Sequence, residues 1–165
     1  MEQHAPVQVT SVSNVVSAAG GATFTLIVKG DGTAWACGSN GNGQLGDGTT
    51  TQRGIPVQMT GMSGLVVQVA AGVIGAHSLV LTNNGALWAT GLNTYGQLGT
   101  GDTTQLLTLT KISGNATTSY AAAGTAHSVA IKSVDAMWTW GQGTNGQLGN
   151  GGMTQSLTPV QVPTF

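Results

Sequence analysis

The chain has 165 residues and a net charge of −1, with 40% hydrophobic and only 5% charged residues. That is one domain's length with enough apolar material for a core, and its charged fraction lies far below the roughly 25% of an ordinary soluble domain. Disorder is disfavoured, collagen is excluded by the lack of a Gly-X-Y period, and four scattered cations (Lys29, Arg53, Lys111, Lys132) cannot line a phosphate backbone, so no nucleic-acid partner is expected.

The opening "MEQHAPVQVT" has neither the basic nor the apolar region of a signal peptide. No run of 18 apolar residues occurs, so no membrane span is expected and the compartment stays unknown. "PVQV" at 6–9 reads as a strand over 5–12 that pairs with a blade or with a neighbouring chain. Three anchors then recur in one order: "AAG" at 18–20, 70–72 and 122–124; Trp35, Trp88 and Trp138; and "GQLG" at 43–46, 96–99 and 146–149. A shared period of about 50 residues over three anchors is the signature of a repeat architecture. A fourth anchor, "PVQM" at 56–59 and "PVQV" at 159–162, is degraded to "LTKI" at 109–112 in the middle copy.

Between the anchors the pattern is β-like. "TFTLIVKGDGTAWACG" carries two short strands about Asp31-Gly32, and "HSLVLTNNGALWATG" repeats this about Asn84-Gly85; Asp-Gly and Asn-Gly are favoured hairpin turns. The third copy, "HSVAIKSVDAMWTWG", has no glycine there, so its turn must differ. No long window carries a helical period. The chain therefore reads as all-β, a single domain over 1–165 with repeats at about 15–65, 66–117 and 118–165. Each repeat offers four strands, the make-up of a propeller blade. Leu45, Leu98 and Leu148 are expected to fill the apolar space between blades, with Gln44, Gln97 and Gln147 bonding loop amides.

The set "AAG…HS…DG…W…G…GQLG" resembles the regulator-of-chromosome-condensation family of β-propeller repeats, most clearly at 77–104. The first copy departs from it, with Phe24 and Thr25 where later copies have His-Ser. The resemblance implies a propeller, usually of seven blades. Its best-known members act as nucleotide-exchange factors for a small GTPase or bind chromatin, uses that rest on charged loops this chain lacks, and fold alone does not carry function.

Three blades leave two open faces, so an incomplete propeller completed by oligomerisation is expected. Two copies would give six blades, within the usual range of about four to eight, and a homodimer ring is favoured. Met1 suits a complete reading frame, and a cut piece of a longer propeller is the alternative.

No catalytic constellation is legible. His77 and His127 are repeat-equivalent, which suits a structural bond to the neighbouring blade's backbone, and with His4 they give no ligand spacing. Glu2, Asp31, Asp47, Asp102 and Asp135 are too dispersed for a calcium loop or a glycosidase pair. Cys37 is alone, a small buried filler; no nucleophile elbow or phosphate loop appears, and "NAT" at 115–117 reads as a chance match to a glycosylation acceptor.

The expectation is a non-enzymatic structural or interaction module without cofactor or metal, whose partners are copies of itself. Trp35, Trp88, Trp138, Leu45, Leu98, Leu148, His77 and His127 are its structural anchors. Two alternatives stay open. One is a viral particle component, capsid-decorating or tail, with other particle proteins as partners and the virion surface as its location. The other is a glycan- or small-ligand-binding propeller using Trp140, which has no tryptophan counterpart in the other copies.

Overall fold

A computed structural model describes residues 4–114, 117–132 and 136–163, and among them there is no helix. Twelve strands form three four-stranded antiparallel meanders. The first sheet joins β1 (Val15–Gly20), β2 (Phe24–Lys29), β3 (Ala34–Gly38) and β4 (Arg53–Gln58). The second joins β5 (Val66–Ala71), β6 (His77–Thr82), β7 (Leu87–Gly91) and β8 (Leu106–Lys111). The third joins β9 (Thr118–Ala123), β10 (His127–Lys132), β11 (Ala136–Gly141) and β12 (Ser156–Gln161). The incomplete-propeller architecture is thus present, and "LTKI" still belongs to a fourth strand, because β8 pairs Trp88 with Lys111 as β3 pairs Trp35 with Gln58.

Local chemistry makes the hairpins. Gly32 (φ 80°) and Gly85 (φ 76°) adopt the left-handed conformation the tight turns require. Asp31 caps its turn by accepting from Thr33 N (3.0 Å) and Thr33 Oγ1 (2.6 Å). These bonds, with Lys29 at 3.1 Å, hold its carboxyl down at about 2. The glycine-free third turn, Asp135, Glu2 and most of the "NAT" triplet lie outside the described residues.

One sequence expectation needs correction. Strand register pairs Gly20 with Thr25, Ala71 with Ser78 and Ala123 with Ser128, so the residue equivalent to Gly72 and Gly124 is Gly21, not Gly20. The "AAG" at 18–20 is therefore one residue out of step. The reason is local: Gly21 N bonds Phe24 O as Gly124 N bonds His127 O, and a Cβ on either glycine would run into the following aromatic ring. The segment 5–12 forms no strand and pairs with no sheet of this chain; Val7 and Val9 are exposed.

The sheets stack face to face. One core cluster sandwiches Phe24, Leu26, Val28, Ala34, Ala36 and Leu45 of the first sheet against Val66, Val69, Val80 and Leu109 of the second. A second sandwiches Leu79, Leu81, Leu87 and Leu98 of the second sheet against Ala121, Ala130 and Trp140 of the third. Alternation along each strand makes this work, since residues two apart share a face.

Candidate functional site

The stacking creates two internal seams and leaves two outer faces. The seams show what one blade of this type offers another. At the first, Ser78 Oγ donates to Gln44 O (2.7 Å), and Thr90 Oγ1 lies 3.0 Å from Gly43 O. At the second, Ser128 Oγ and the Trp140 indole both donate to Gln97 O, at 2.8 and 2.9 Å. Hydroxyl and indole donors on the rear face of one sheet thus meet loop carbonyls of the sheet before it. Gln68 adds a bridge at the second seam, donating to Ala121 O (2.8 Å) and accepting from Ala121 N (3.1 Å).

His77 sits wholly inside the second seam, its Nε2 3.0 Å from Ser128 Oγ, so it meets a side chain of the neighbouring sheet and not its backbone. The Ser128 hydroxyl proton is committed to Gln97 O, so Ser128 accepts and His77 carries its proton on Nε2. Nδ1 is left buried with no partner. Burial, with His127 nearby, pushes His77 down to about 4. His127, half-buried on the outer face of the third sheet, is also lowered, by burial.

The "GQLG" loops are built alike. Each glutamine accepts from an amide two residues back: Asn42 N to Gln44 (2.9 Å), Tyr95 N to Gln97 (2.9 Å) and Asn145 N to Gln147 (2.8 Å). Leu45, Leu98 and Leu148 are fully buried, the first two within the two core clusters. Trp88 and Trp138 pack against those same clusters. Trp35 holds the equivalent place on the outer face of the first sheet, with Lys29 Nζ 5.3 Å from its ring centre and its indole donating to Thr33 Oγ1 (2.9 Å). Ala86 and Ala136 stand where Thr33 does, and the Trp88 and Trp138 indole nitrogens are buried without a partner.

Residues the sequence reading passed over organise these loops. Asn40 Oδ1 accepts from Leu45 N (3.0 Å), while its amide reaches Thr49 O (3.0 Å) and Thr51 O (3.2 Å). Asn93 repeats this with Leu98 N (2.9 Å), Asp102 O (3.0 Å) and Thr104 O (3.0 Å). Their signal was a Gly-x-Asn after the Trp35 and Trp88 strands. The third loop has Gly143 instead, where a Cβ would collide with Thr154 O. Asp47 and Asp102 occupy reciprocal places. Asp47 Oδ1 accepts from Thr49 Oγ1 (2.7 Å), whereas in the next loop Thr100 stands first and donates to Asp102 Oδ1 (3.1 Å). Burial alone would raise the Asp47 carboxyl, but bonds from Thr49, Arg53 and Asn40 outweigh it and hold it below the usual range.

Trp140 is fully buried with its indole bonded across the seam, so no ring face is open for a sugar to stack on. Cys37 is half-buried on the outer face, where burial raises its thiol. Among the described residues no three of His, Cys, Asp and Glu come together as metal ligands.

What remains is the pair of outer faces. Ile131 and Met137 are 37% and 42% exposed, while Leu81 and Leu87, their equivalents in the second sheet, are 3% and 0% exposed beneath the third. Val15 on the first sheet is 46% exposed, against 5% for Val66. These side chains have the character of seam residues and lack the seam.

Comparison with known proteins agrees with this geometry. The "Regulator of chromosome condensation (RCC1) repeat" profile matches residues 31–81, 84–131 and 135–165, and a second profile of the same description matches 15–44 and 66–97. The chain is 36% identical over 89 residues to the human E3 ubiquitin-protein ligase HERC2, covering 53% of this chain and 2% of the ligase. It is 40% identical over 83 residues to a zebrafish (Danio rerio) RCC2 homolog, covering 50% of this chain and 17% of the homolog. Among solved structures, human WBSCR16 superposes with a TM-score of 0.81 at 28% identity, covering 90% of this chain and 38% of that protein. Yeast RCC1 (Prp20), solved bound to Kap60, superposes with a TM-score of 0.82 at 22% identity, covering 92% and 37%. The chain thus spans under a fifth of these curated relatives and under two fifths of these structural neighbours. With its repeats matched along most of its length and its sheets stacked as theirs are, the chain belongs to the regulator of chromosome condensation (RCC1) repeat family.

Proposed function

We propose that the chain is a non-enzymatic protein-interaction module that assembles with copies of itself through its open blade faces. The observation that carries this is the contrast between equivalent side chains: Ile131, Met137 and Val15 are exposed where Leu81, Leu87 and Val66 are covered by the next sheet. Burying apolar surface is worth about 25 cal/mol per Å², so two such faces in water forgo several kcal/mol, a large part of the roughly 5–15 kcal/mol that holds a domain together. The seams are already interfaces between units of one sequence pattern, so the simplest cover is another unit of that pattern. Contact between front and rear faces is heterologous and closes into a ring or continues as a filament. Two copies give six blades, a number propellers adopt.

Protein interaction also suits the family: yeast RCC1 (Prp20) has been solved with Kap60, and binding to Gsp1p and histones is described for it. The relatives add no support to the particle-component reading, and the burial of Trp140 removes the tryptophan on which the glycan reading relied. Sedimentation velocity from low to high micromolar concentration tests the proposal. A species of two chains is expected, and a single chain's mass throughout would refute it.

A further inference from the structure

Resting on the self-assembly reading, we infer that a second copy docks head to tail on the open face of the third sheet in one fixed register, with Met153 seated over Gly54 of the second copy. At both internal seams a leucine from the last strand of the following sheet lies on a glycine of the preceding loop. A Cβ on Gly43 would meet Leu107 Cδ2 at 2.6 Å, and one on Gly96 would meet Leu157 Cδ2 at 2.6 Å. Arg53, Leu106 and Ser156 each pair with the glycine that ends the third strand of their sheet, which makes Gly54 the equivalent of Leu107 and Leu157. Gly54 therefore offers no side chain to a loop glycine, and the space around it is open.

The loop that would meet it has changed in the opposite sense. Gly146 is the equivalent of Gly43 and Gly96, and a Cβ there would come within 3.4 Å of Met153 Sδ. Met153 is exposed and stands where the other loops have Thr50 and Thr103. At the third seam, then, the apolar group over the loop glycine comes from the loop itself, and the docking strand has given up the leucine that would claim the same space. The two changes lie far apart in sequence and do not touch within one chain, yet each makes room for the other across a seam of the internal kind.

The polar pattern continues in the same register. The Ser78 and Ser128 hydroxyls meet the Gln44 and Gln97 carbonyls, and His77 meets Ser128. One blade further on, His127 and Gln147 face outward, and the exposed Thr25 of the second copy is the matching hydroxyl. Gly48 N and Gly101 N donate to Leu107 O and Leu157 O at 2.9 Å; the next such pair is Gly151 N with Gly54 O of the second copy. Four strands about 4.8 Å apart and about 17–20 Å long give a face of roughly 350 Å². One junction thus buries roughly 700 Å² in total, less than the ~1,000 Å² a stable complex needs, whereas the two junctions of a closed pair bury about 1,400 Å².

Sedimentation equilibrium of the full chain, with circular dichroism as a check on folding, tests the register. Gly54→Leu places its Cβ in open space within the chain, with nothing inside 4 Å, but it collides with Met153 at the junction and should weaken association at least about tenfold. Adding Met153→Thr recreates the leucine-on-glycine contact of the internal seams and should restore association to within about threefold. Should Gly54→Leu misfold, Met153→Thr alone serves, since uncovering Gly146 should weaken association several-fold. An oligomer indifferent to these changes, or a double variant that is not rescued, overturns the register while self-assembly stands. A wild-type chain that is monomeric throughout overturns both.

Discussion

His77 makes the second seam acid-sensitive by a calculable amount. The free imidazole titrates near 6.5, and in the folded chain His77 is held at about 4, first by burial and then by its neighbour His127. Between those values the unfolded chain binds the proton and the folded chain does not, so stability rises with pH. The contribution is complete above about pH 6.5 and is lost as pH falls to about 4. At about 1.4 kcal/mol per pH unit the loss approaches about 3 kcal/mol. His77→Phe should remove this dependence, and Phe is suited to the site because Phe24 occupies the equivalent position in the first sheet, pairing with Gly38 as His77 pairs with Gly91. The assay is urea unfolding followed by tryptophan fluorescence from pH 7 to pH 4, at fixed protein concentration because association shifts apparent stability. His127, also lowered, leaves a shallower slope of the same sign in both proteins. Asp31 and Asp47, held below the usual carboxylate range, enter mainly below pH 4. Parallel pH profiles for wild type and His77→Phe would refute the assignment of a buried neutral histidine to this seam.

Three further outcomes follow from the packing. Asn40→Ala strands the buried Leu45 amide and the carbonyls of Thr49 and Thr51; it should cost about 2–3 kcal/mol in urea titration, more than Asn145→Ala, whose side chain is exposed. Leu98→Ala opens a cavity in the second core cluster and should cost about 2–5 kcal/mol by the same assay. Trp140→Phe keeps most of the buried ring but loses the bond to Gln97 O, so a loss of about 1–2 kcal/mol is expected; an unchanged midpoint would mean the indole is not bonded across the seam.

Much of the fold was legible because its signals are local. Asn84-Gly85 dictates a turn, Trp88 and "GQLG" recur at fixed distances, and alternation assigns the faces, so three meanders could be read along the chain. The misplacement of "AAG" by one residue has an equally local cause: Gly20 and Gly21 are indistinguishable as letters, and only the ring of Phe24 decides which must lack a side chain. The seams were less legible, because their partners lie far apart in sequence. Ser78 meets Gln44 and Trp140 meets Gln97 only after the sheets stack. Trp140 looked available because it breaks the repeat, yet it stands where Thr90 sets its hydroxyl 3.0 Å from the preceding loop's Gly43 O, and its indole donates to that loop's counterpart, Gln97 O. Asn40 and Asn93 escaped notice because asparagine is common in loops and nothing in the letters shows that each clasps the ends of its loop together.

The central claim, that the front of the third sheet meets the rear of the first sheet of another copy, can be read as a covalent bond. A Cβ on Gly46 lies 3.1 Å from Thr90 Cγ2 across the first seam, so a sulfur at either position would be brought close to the other residue's side chain. Gly149 and Cys37 are the equivalents of those two positions at the outer faces. On mild oxidation, Gly149→Cys should link to Cys37 of a second copy, giving a species of two chains by intact mass, and the link should vanish when Cys37→Ser is added. An oxidised Gly149→Cys protein that keeps its β-sheet spectrum and remains at the mass of a single chain would contradict the account.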